Sequence, residues 1–300
     1  MPPSPSRPPE LCGRVFRGST VVAEGLLTEK QLRSSAWVRL RQDVHADASL
    51  PRTHRLLISA VGLTLPAGAG FTGRSAAVLW GVAGLAGAAD PVEVVLPAGL
   101  RWHPGEGVRV RRTAARLALV RVGRWLCTSR VDTAVELIRR GPVDDAVVIL
   151  DRVVTAGLVS LTSVQEAVAR LPRGRGSAQA RTVAALADGL AESPQETRLR
   201  LVLQRAGLPA PVAQFRVFDS EGFVARLDLA YPDVKVAIEY DGLWHGDRRA
   251  FLDDRRRLNR LSAAGWVVLH VTVDDLRHPE RLAARVRALR SRRLAMINAR

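Results

Sequence analysis

Residues 234–241, VKVAIEYD, constrain the fold more than any other part of this chain. The run is nearly continuous in apolar residues, the pattern of a strand covered on both faces at the centre of a sheet. It ends in two carboxylates, Glu239 and Asp241, whose i, i+2 spacing puts both on one face of the strand. Such a strand needs elements on either side of it, and the flanking sequence supplies them. SPQETRLRLVLQRAG opens the block as a helix, with Ser193 as N-cap, Pro194 at its first position and Gly207 as its stop. VAQFRVFD and FVARLDLA flank the turn SEG as a hairpin. DRRAFLDDRRRLNRLSAAG reads as a helix with Phe251, Asp254, Leu258 and Leu261 along one stripe, WVVLHVT as a second buried strand, and RLAARVRALR as a closing helix. The order is helix, strand, strand, strand, helix, strand, helix: an α+β or α/β domain built on a mixed sheet flanked by helices.

The chemistry of this block concentrates at two strand ends. Asp228 lies near the end of the second strand, and only a short turn separates it from the third. If the two strands are neighbours, Asp228, Glu239 and Asp241 converge. A carboxylate between apolar residues is costly when unpaired, and a cluster is costly unless it holds a cation or a proton. Hard oxygen ligands suit Mg²⁺ or Mn²⁺, and such an ion polarises a phosphodiester and lowers the pKa of a bound water. Plainer readings stand beside this one. Glu196 completes a capping box with Ser193, Asp241–Gly242 makes an ordinary turn, and Asp254 with Arg257 forms an i, i+3 helix pair. Trp266 and His270 read as structural residues of a buried strand.

The remaining 190 or so residues divide less sharply. Residues 1–13 read as a disordered, proline-rich tail. Residues 14–51 carry LLTEKQLRS, a helix with a capping box from Thr28 to Gln31, followed by a strand, WVRLRQDV. The pattern is a degenerate winged-helix-like segment without a second helix for the major groove. Residues 52–190 read as an α+β middle domain. EVVLP and VRVRR look like strands paired around the turn RWHPGEG, Ala76 to Ala89 like one buried helix, and Ser129 caps RVDTAVELIRR. DDAVVILDRVVTAG and SVQEAVARL follow as helices, the second with a capping box from Ser163 to Glu166. Residues 191–294 form the block described above. The region before it is expected to be mainly helical.

The chain carries 45 Lys and Arg against 29 Asp and Glu, a formal net charge of +16. That field favours a polyanion: nucleic acid first, an anionic membrane surface second. Lysine occurs only at Lys30 and Lys235, so part of the positive charge reflects an arginine-rich composition. The longest uncharged apolar run falls short of the roughly 18–20 residues that span a bilayer, so no membrane partner is expected. Cys12 and Cys127 are too few for a disulfide framework or a zinc cluster, and a cytoplasmic setting is the default. From Arg255 to Arg300, twelve arginines stand against Asp274, Asp275 and Glu280.

The run SPQETRLRLVLQRAGLP, RLDLAYPDVKVAIEYDGLWH and DDRRRLNRLSAAGWVVLHVT resembles the domain of unknown function 559, a PD-(D/E)xK nuclease group similar to the very-short-patch mismatch repair endonucleases. The resemblance covers the last third of the chain. It implies a restriction-endonuclease-like fold and a Mg²⁺- or Mn²⁺-dependent endonuclease that cleaves DNA. It makes Asp228 a metal ligand, Glu239 the acid of the (D/E)xK element and Glu196 the first-helix acid that some members add. Asp241 occupies the lysine position. His245 matches a histidine near the scissile phosphate, with Trp244 the aromatic beside it. Arg255, Arg257 and Arg260 are the expected phosphate contacts. The earlier segments more loosely resemble the N-terminal regions of AbiEi-type antitoxins. The competing expectation is therefore a nucleic-acid-binding regulator with a weak or inactive nuclease fold.

Overall fold

The computed structural model describes residues 7–113, 118–241 and 248–299. The protein is α+β, and its contacts divide it into two units, Met1–Leu137 and Ile138–Arg300.

In the first unit a 3₁₀ turn, Pro9–Leu11, precedes β1 (Val15–Arg17), α1 (Gly18–Ala23), α2 (Glu29–Leu32), β2 (Trp37–Arg41) and β3 (Val44–Asp47). The sheet order is β1-β3-β2. Both halves of the capping box are made: Gln31 N–H donates to Thr28 Oγ1 at 3.2 Å and Thr28 N–H to Gln31 Oε1 at 2.7 Å. The expected single strand is a hairpin instead. It turns at Asp43, whose φ is +58° and whose carboxylate accepts the N–H and hydroxyl of Ser19. Two helices therefore precede the hairpin, not one. Six residues of α1 are too few to declare a helical period.

The unit continues with α3 (His54–Gly62), β4 (Gly70–Phe71), α4 (Gly73–Leu79), β5 (Val92–Pro97), β6 (Val108–Thr113), β7 (Leu119–Val122), β8 (Trp125–Thr128) and α5 (Arg130–Ile138). The five strands lie in the order β6-β5-β4-β8-β7. β5 and β6 do pair, but in parallel, so the turn between them is not a hairpin loop. The apolar run from Ala76 is helical only to Leu79; Gly81 and Gly84, with φ of +95° and +68°, turn the chain away. His54 and Ser75, both buried, form a closed network. Nε2 lies 2.9 Å from the hydroxyl, Nδ1 3.2 Å from the Gly87 carbonyl, and the hydroxyl accepts Glu93 N–H.

The second unit holds α6 (Val143–Thr155), α7 (Leu161–Ala169), α8 (Ser177–Leu186), α9 (Pro194–Arg205), β9 (Val212–Asp219), β10 (Gly222–Tyr231), β11 (Val236–Tyr240), α10 (Arg248–Ala263), β12 (Val267–Val271), α11 (Val273–Arg277) and α12 (Pro279–Asn298). α7 starts three residues earlier than its capping pattern suggested, with Ser160 as the cap. The helices α6 to α8 pack with the C-terminal block through a buried carboxylate. Asp151 Oδ1 accepts the N–H groups of Asp188 and Gly189, and Oδ2 accepts Thr197 Oγ1 and Arg200 Nη2, both at 2.8 Å. A buried acid with four donors is satisfied, and it pins the first half of α9 to α6.

The sheet order β12-β11-β10-β9 is antiparallel except for the parallel pair of β11 and β12, the expected mixed sheet. One face packs Leu229, Val236 and Ile238 against Leu199, Leu203, Leu282 and Val286. The other packs Ala225, Leu227 and Ala237 against Leu261 and Trp266. β11 is thus covered on both sides, as its apolar run requires.

Candidate functional site

The β10–β11 ladder pairs Tyr231 with Val236, Ala230 with Ala237 and Leu229 with Ile238. The next residues outward are Asp228 and Glu239, and there the ladder stops. Asp228 Oδ2 accepts the Tyr240 N–H at 2.9 Å, so a side-chain oxygen takes the place of a main-chain carbonyl. On the other side of β10, the pairs Leu227–Phe215 and Leu229–Ala213 leave Gln214 opposite Asp228. Gln214 has a φ of +53°, a conformation that residues with a Cβ rarely adopt. Its Nε2 donates to Glu196 Oε2 at 2.9 Å. Glu196 N–H donates to Ser193 Oγ at 3.2 Å, the first half of the capping box. The Glu196 carboxylate reaches the N–H of Glu192 rather than of Ser193. The cap thus aims a buried acid at the strand end carrying Asp228.

Asp228 is half-buried, and its pKa is pushed up to about 6. Burial is the main cause. The Tyr240 N–H opposes the rise, and the negative charges of Glu196, Glu239 and Glu192 add to it. Glu239 is only 8% exposed, and Arg257 of α10 grips both of its oxygens, Nη1 to Oε1 at 2.7 Å and Nη2 to Oε2 at 3.1 Å. The same guanidinium donates to Asp254 Oδ1, from Nη2 at 2.7 Å and Nε at 3.1 Å. Burial alone would weaken its hold on a proton, but the bonds to Glu239 and Asp254 outweigh that and raise its pKa above the usual arginine value.

β12 runs parallel to β11 with His270 in register with Glu239. His270 is exposed, and it lines a cleft of about 450 Å³ with Glu239, Asp241, Asp254, Arg255 and Arg257. Asp241 is exposed, and its N–H donates to the Val271 carbonyl at 2.7 Å, which holds the end of β11 against β12.

Of the sequence-derived candidates, the structure gathers Glu196, Asp228 and Glu239 around one strand end, with Asp241, Arg255 and Arg257 on the adjoining cleft. Arg260 points elsewhere. Its Nε and Nη2 hold Asp219 at the start of the hairpin turn, at 2.8 and 2.5 Å. Lys235 Nζ donates to the Ala264 carbonyl at 3.0 Å, away from the cleft. Trp244 and His245 lie outside the described residues. Pattern reading missed Gln214, Glu192 and His270; only strand register, which sequence does not specify, brings His270 beside Glu239.

Among the described residues, no three His, Cys, Asp or Glu side chains form a ready-made metal cage. Asp228 nonetheless suits a hard divalent cation. Its Oδ1 takes no hydrogen bond from a described residue, and the surrounding negative charge that raises its proton affinity favours a cation equally. Glu239 is committed to Arg257, and Glu196 to Gln214 and the Glu192 N–H.

The fold and this acidic cleft place the chain among α+β proteins with a mixed four-stranded sheet. No family model matches it. Over 195 residues, 64% of this chain and 71% of the other, it is 36% identical to the Mycobacterium tuberculosis protein named Uncharacterized protein Rv2248. The same figures hold for Uncharacterized protein MT2308 of another strain of that species. The chain belongs to the family of these mycobacterial proteins. The crystal structure of the RV2827C protein from Mycobacterium tuberculosis aligns with a TM-score of 0.39 and 16% identity, over 69% of this chain and 84% of that one.

Proposed function

We propose that the second unit is a metal-dependent phosphodiesterase acting on nucleic acid, with DNA as the first substrate to test. The observation that carries this reading is Asp228: a half-buried acid at an opened strand end, raised to about 6 by burial and by three neighbouring carboxylates. Such an arrangement is unfavourable without a counter-charge and useful with one. Asp228 would anchor Mg²⁺ or Mn²⁺, with Glu239 joining when its bond to Arg257 opens. The ion would supply charge stabilisation and a more acidic water. Arg257 stays protonated throughout, so its part is to balance charge at the cleft, not to move a proton. His270 stands beside Glu239 on the neighbouring strand, with an imidazole facing the same cleft. A cytoplasmic setting belongs to the same proposal; among the described residues no helix is long and apolar enough to cross a membrane.

The test is cleavage of supercoiled plasmid with Mg²⁺, Mn²⁺ or EDTA, using the full chain and Asp228→Ala. Nicking or linearisation is expected with either ion, none with EDTA, and none in the variant. Cleavage that resists EDTA, or an Asp228→Ala protein as active as its parent, overturns the assignment. A second reading rests on the Arg257 fork that occupies both Glu239 oxygens. In that reading the cleft is an inactive nuclease site in a DNA-binding, antitoxin-type regulator. Tight DNA binding without cleavage under every ion would select it.

A further inference from the structure

The β9–β10 hairpin carries an exposed face that leads to the acidic site and that the cleft does not use. Its tip pairs Phe218 with Phe223, and the next outward pair is Arg216 with Arg226. The pair after that sets Gln214 opposite Asp228, by continuation of the same register. Val217, Val224, Ala225 and Leu227, which alternate with these residues, are buried against the sheet's helices. A bulge between Phe223 and Ala225 adds one residue to β10, so Phe223 and Arg226 both face outward although they are three apart.

Phe218 and Phe223 are 61% and 49% exposed, unusual for large apolar side chains that lie side by side. Their rings sit edge to face with centroids 5.7 Å apart, and the Arg216 guanidinium lies 5.5 Å from the Phe223 ring. The charges around them favour an anion. Arg260 neutralises Asp219 at the turn and reaches towards Glu221 at 3.9 Å. Among the described residues Arg216 forms no ion pair, and Arg226 makes an exposed pair with Glu192 at 2.6 Å, a contact of little strength that a phosphate would replace. Gln214 and Phe218 are about 13 Å apart for four residues at ~3.3 Å each. That is the reach of about four stacked nucleotides at ~3.4 Å.

We propose that this hairpin face is a track for an unpaired nucleic-acid strand, with Arg216 and Arg226 on the phosphates and Phe218 and Phe223 stacking on bases about four nucleotides from the Asp228 site. It deepens the phosphodiesterase reading, on which its position relative to a scissile bond rests, and names the substrate class as single-stranded or locally opened nucleic acid. Aromatic faces accept any base, whereas a base inside a duplex offers no free face to stack on.

The experiment measures binding of the full chain, in EDTA, to fluorescent oligothymidylate and to a duplex of equal length. Phe218→Ala/Phe223→Ala should weaken single-strand binding about tenfold or more, as loss of base stacking does. Duplex binding should stay within about twofold in the same variant, because phosphate contacts govern it. Phe218→Leu/Phe223→Leu should behave like the alanine pair, since it keeps apolar bulk but loses the ring face. Arg216→Ala should weaken both ligands and reduce the salt slope by about one. Unchanged single-strand affinity in the alanine pair overturns the proposal. So does full affinity in the leucine pair, or a wild-type dimer that the alanine pair dissolves, which would make the tip a protein contact. Because the assay contains EDTA, its outcome is independent of cleavage. A chain that stacks single strands but cuts nothing sinks the phosphodiesterase reading alone.

Discussion

Arg257→Ala tests the organisation of the cleft most directly. The substitution removes both hydrogen bonds to Glu239 and the bonds to Asp254. Asp254 is exposed enough to be rehydrated, with a side chain 41% accessible. Glu239 is not: at 8% exposure it would keep a charge that water solvates poorly. Breaking a fully buried pair costs about 3–5 kcal/mol. The Arg257 side chain is 28% accessible and borders an open cleft, so water would enter the vacated space, and the expected loss is reduced to about 2–3 kcal/mol. The accompanying variant is Glu239→Gln/Arg257→Ala, which has no stranded charge and should recover at least half of that loss. Urea denaturation followed by circular dichroism measures all of these, with unchanged m-values as the check that only stability moved. A loss below about 0.5 kcal/mol in Arg257→Ala, the size of an ordinary surface effect, would refute the view that Arg257 compensates a buried charge. A double variant no more stable than the single one would refute it too.

Asp228→Asn should stabilise the metal-free protein at pH 7. The folded pKa of about 6 lies above the ordinary carboxylate value, so the penalty for ionising Asp228 is absent below about pH 4, grows between 4 and 6, and is complete above 6. The gain, discounted for partial exposure to about 1–2 kcal/mol at pH 7, should vanish at pH 4; denaturation in EDTA at both pH values reads it, and an equal effect at both would exclude the cause given. His245→Ala should lower plasmid cleavage by about 10²–10⁴-fold, as loss of a general base does, while leaving DNA affinity unchanged. The same loss in His270→Ala instead would transfer that role to the cleft histidine. Lys235→Ala should leave the rate within about twofold, because its ammonium is bound to the Ala264 carbonyl and a surface change of this kind is usually near neutral.

The third block was legible because its periods are long and unambiguous. The apolar run ending at Glu239 does form a covered central strand, and SEG does turn a hairpin whose second strand carries Asp228 beside β11. The Asp254–Arg257 helix pair is present. What the sequence did not yield depends on geometry between elements. Nothing local reveals that β12 pairs with β11 in a register that puts His270 against Glu239, or that the fork of Arg257 reaches across from α10 as well as back one turn. The left-handed backbone at Gln214 has no glycine or asparagine to announce it. In the first unit, β4 is two residues long, and β5 and β6 have the composition of a hairpin but run parallel. Strand composition reports a half-buried surface and carries no information on the direction of the partner.

Under the proposed nuclease reading Asp241 would stand where the (D/E)xK pattern has lysine, and a cation beside Glu239 is supplied by another element. The cation beside Glu239 comes from α10, as Arg257, not from β11. A lysine ammonium is a movable point charge whose pKa shifts readily; a guanidinium is a fixed fork that stays charged. Arg257 holds both oxygens of Glu239, so a metal ion would compete with the arginine for that carboxylate. Asp228 has no such rival, and its neighbours raise its affinity for any positive charge. Under the proposed reading Asp228 would be the first residue to hold an ion, and Glu239 would be available to it only with its bond to Arg257 opened, while Asp254 retains the guanidinium at the cleft wall. Arg257 would then set the threshold of ion binding. Weakening its fork should tighten metal affinity even as it lowers the stability of the metal-free fold.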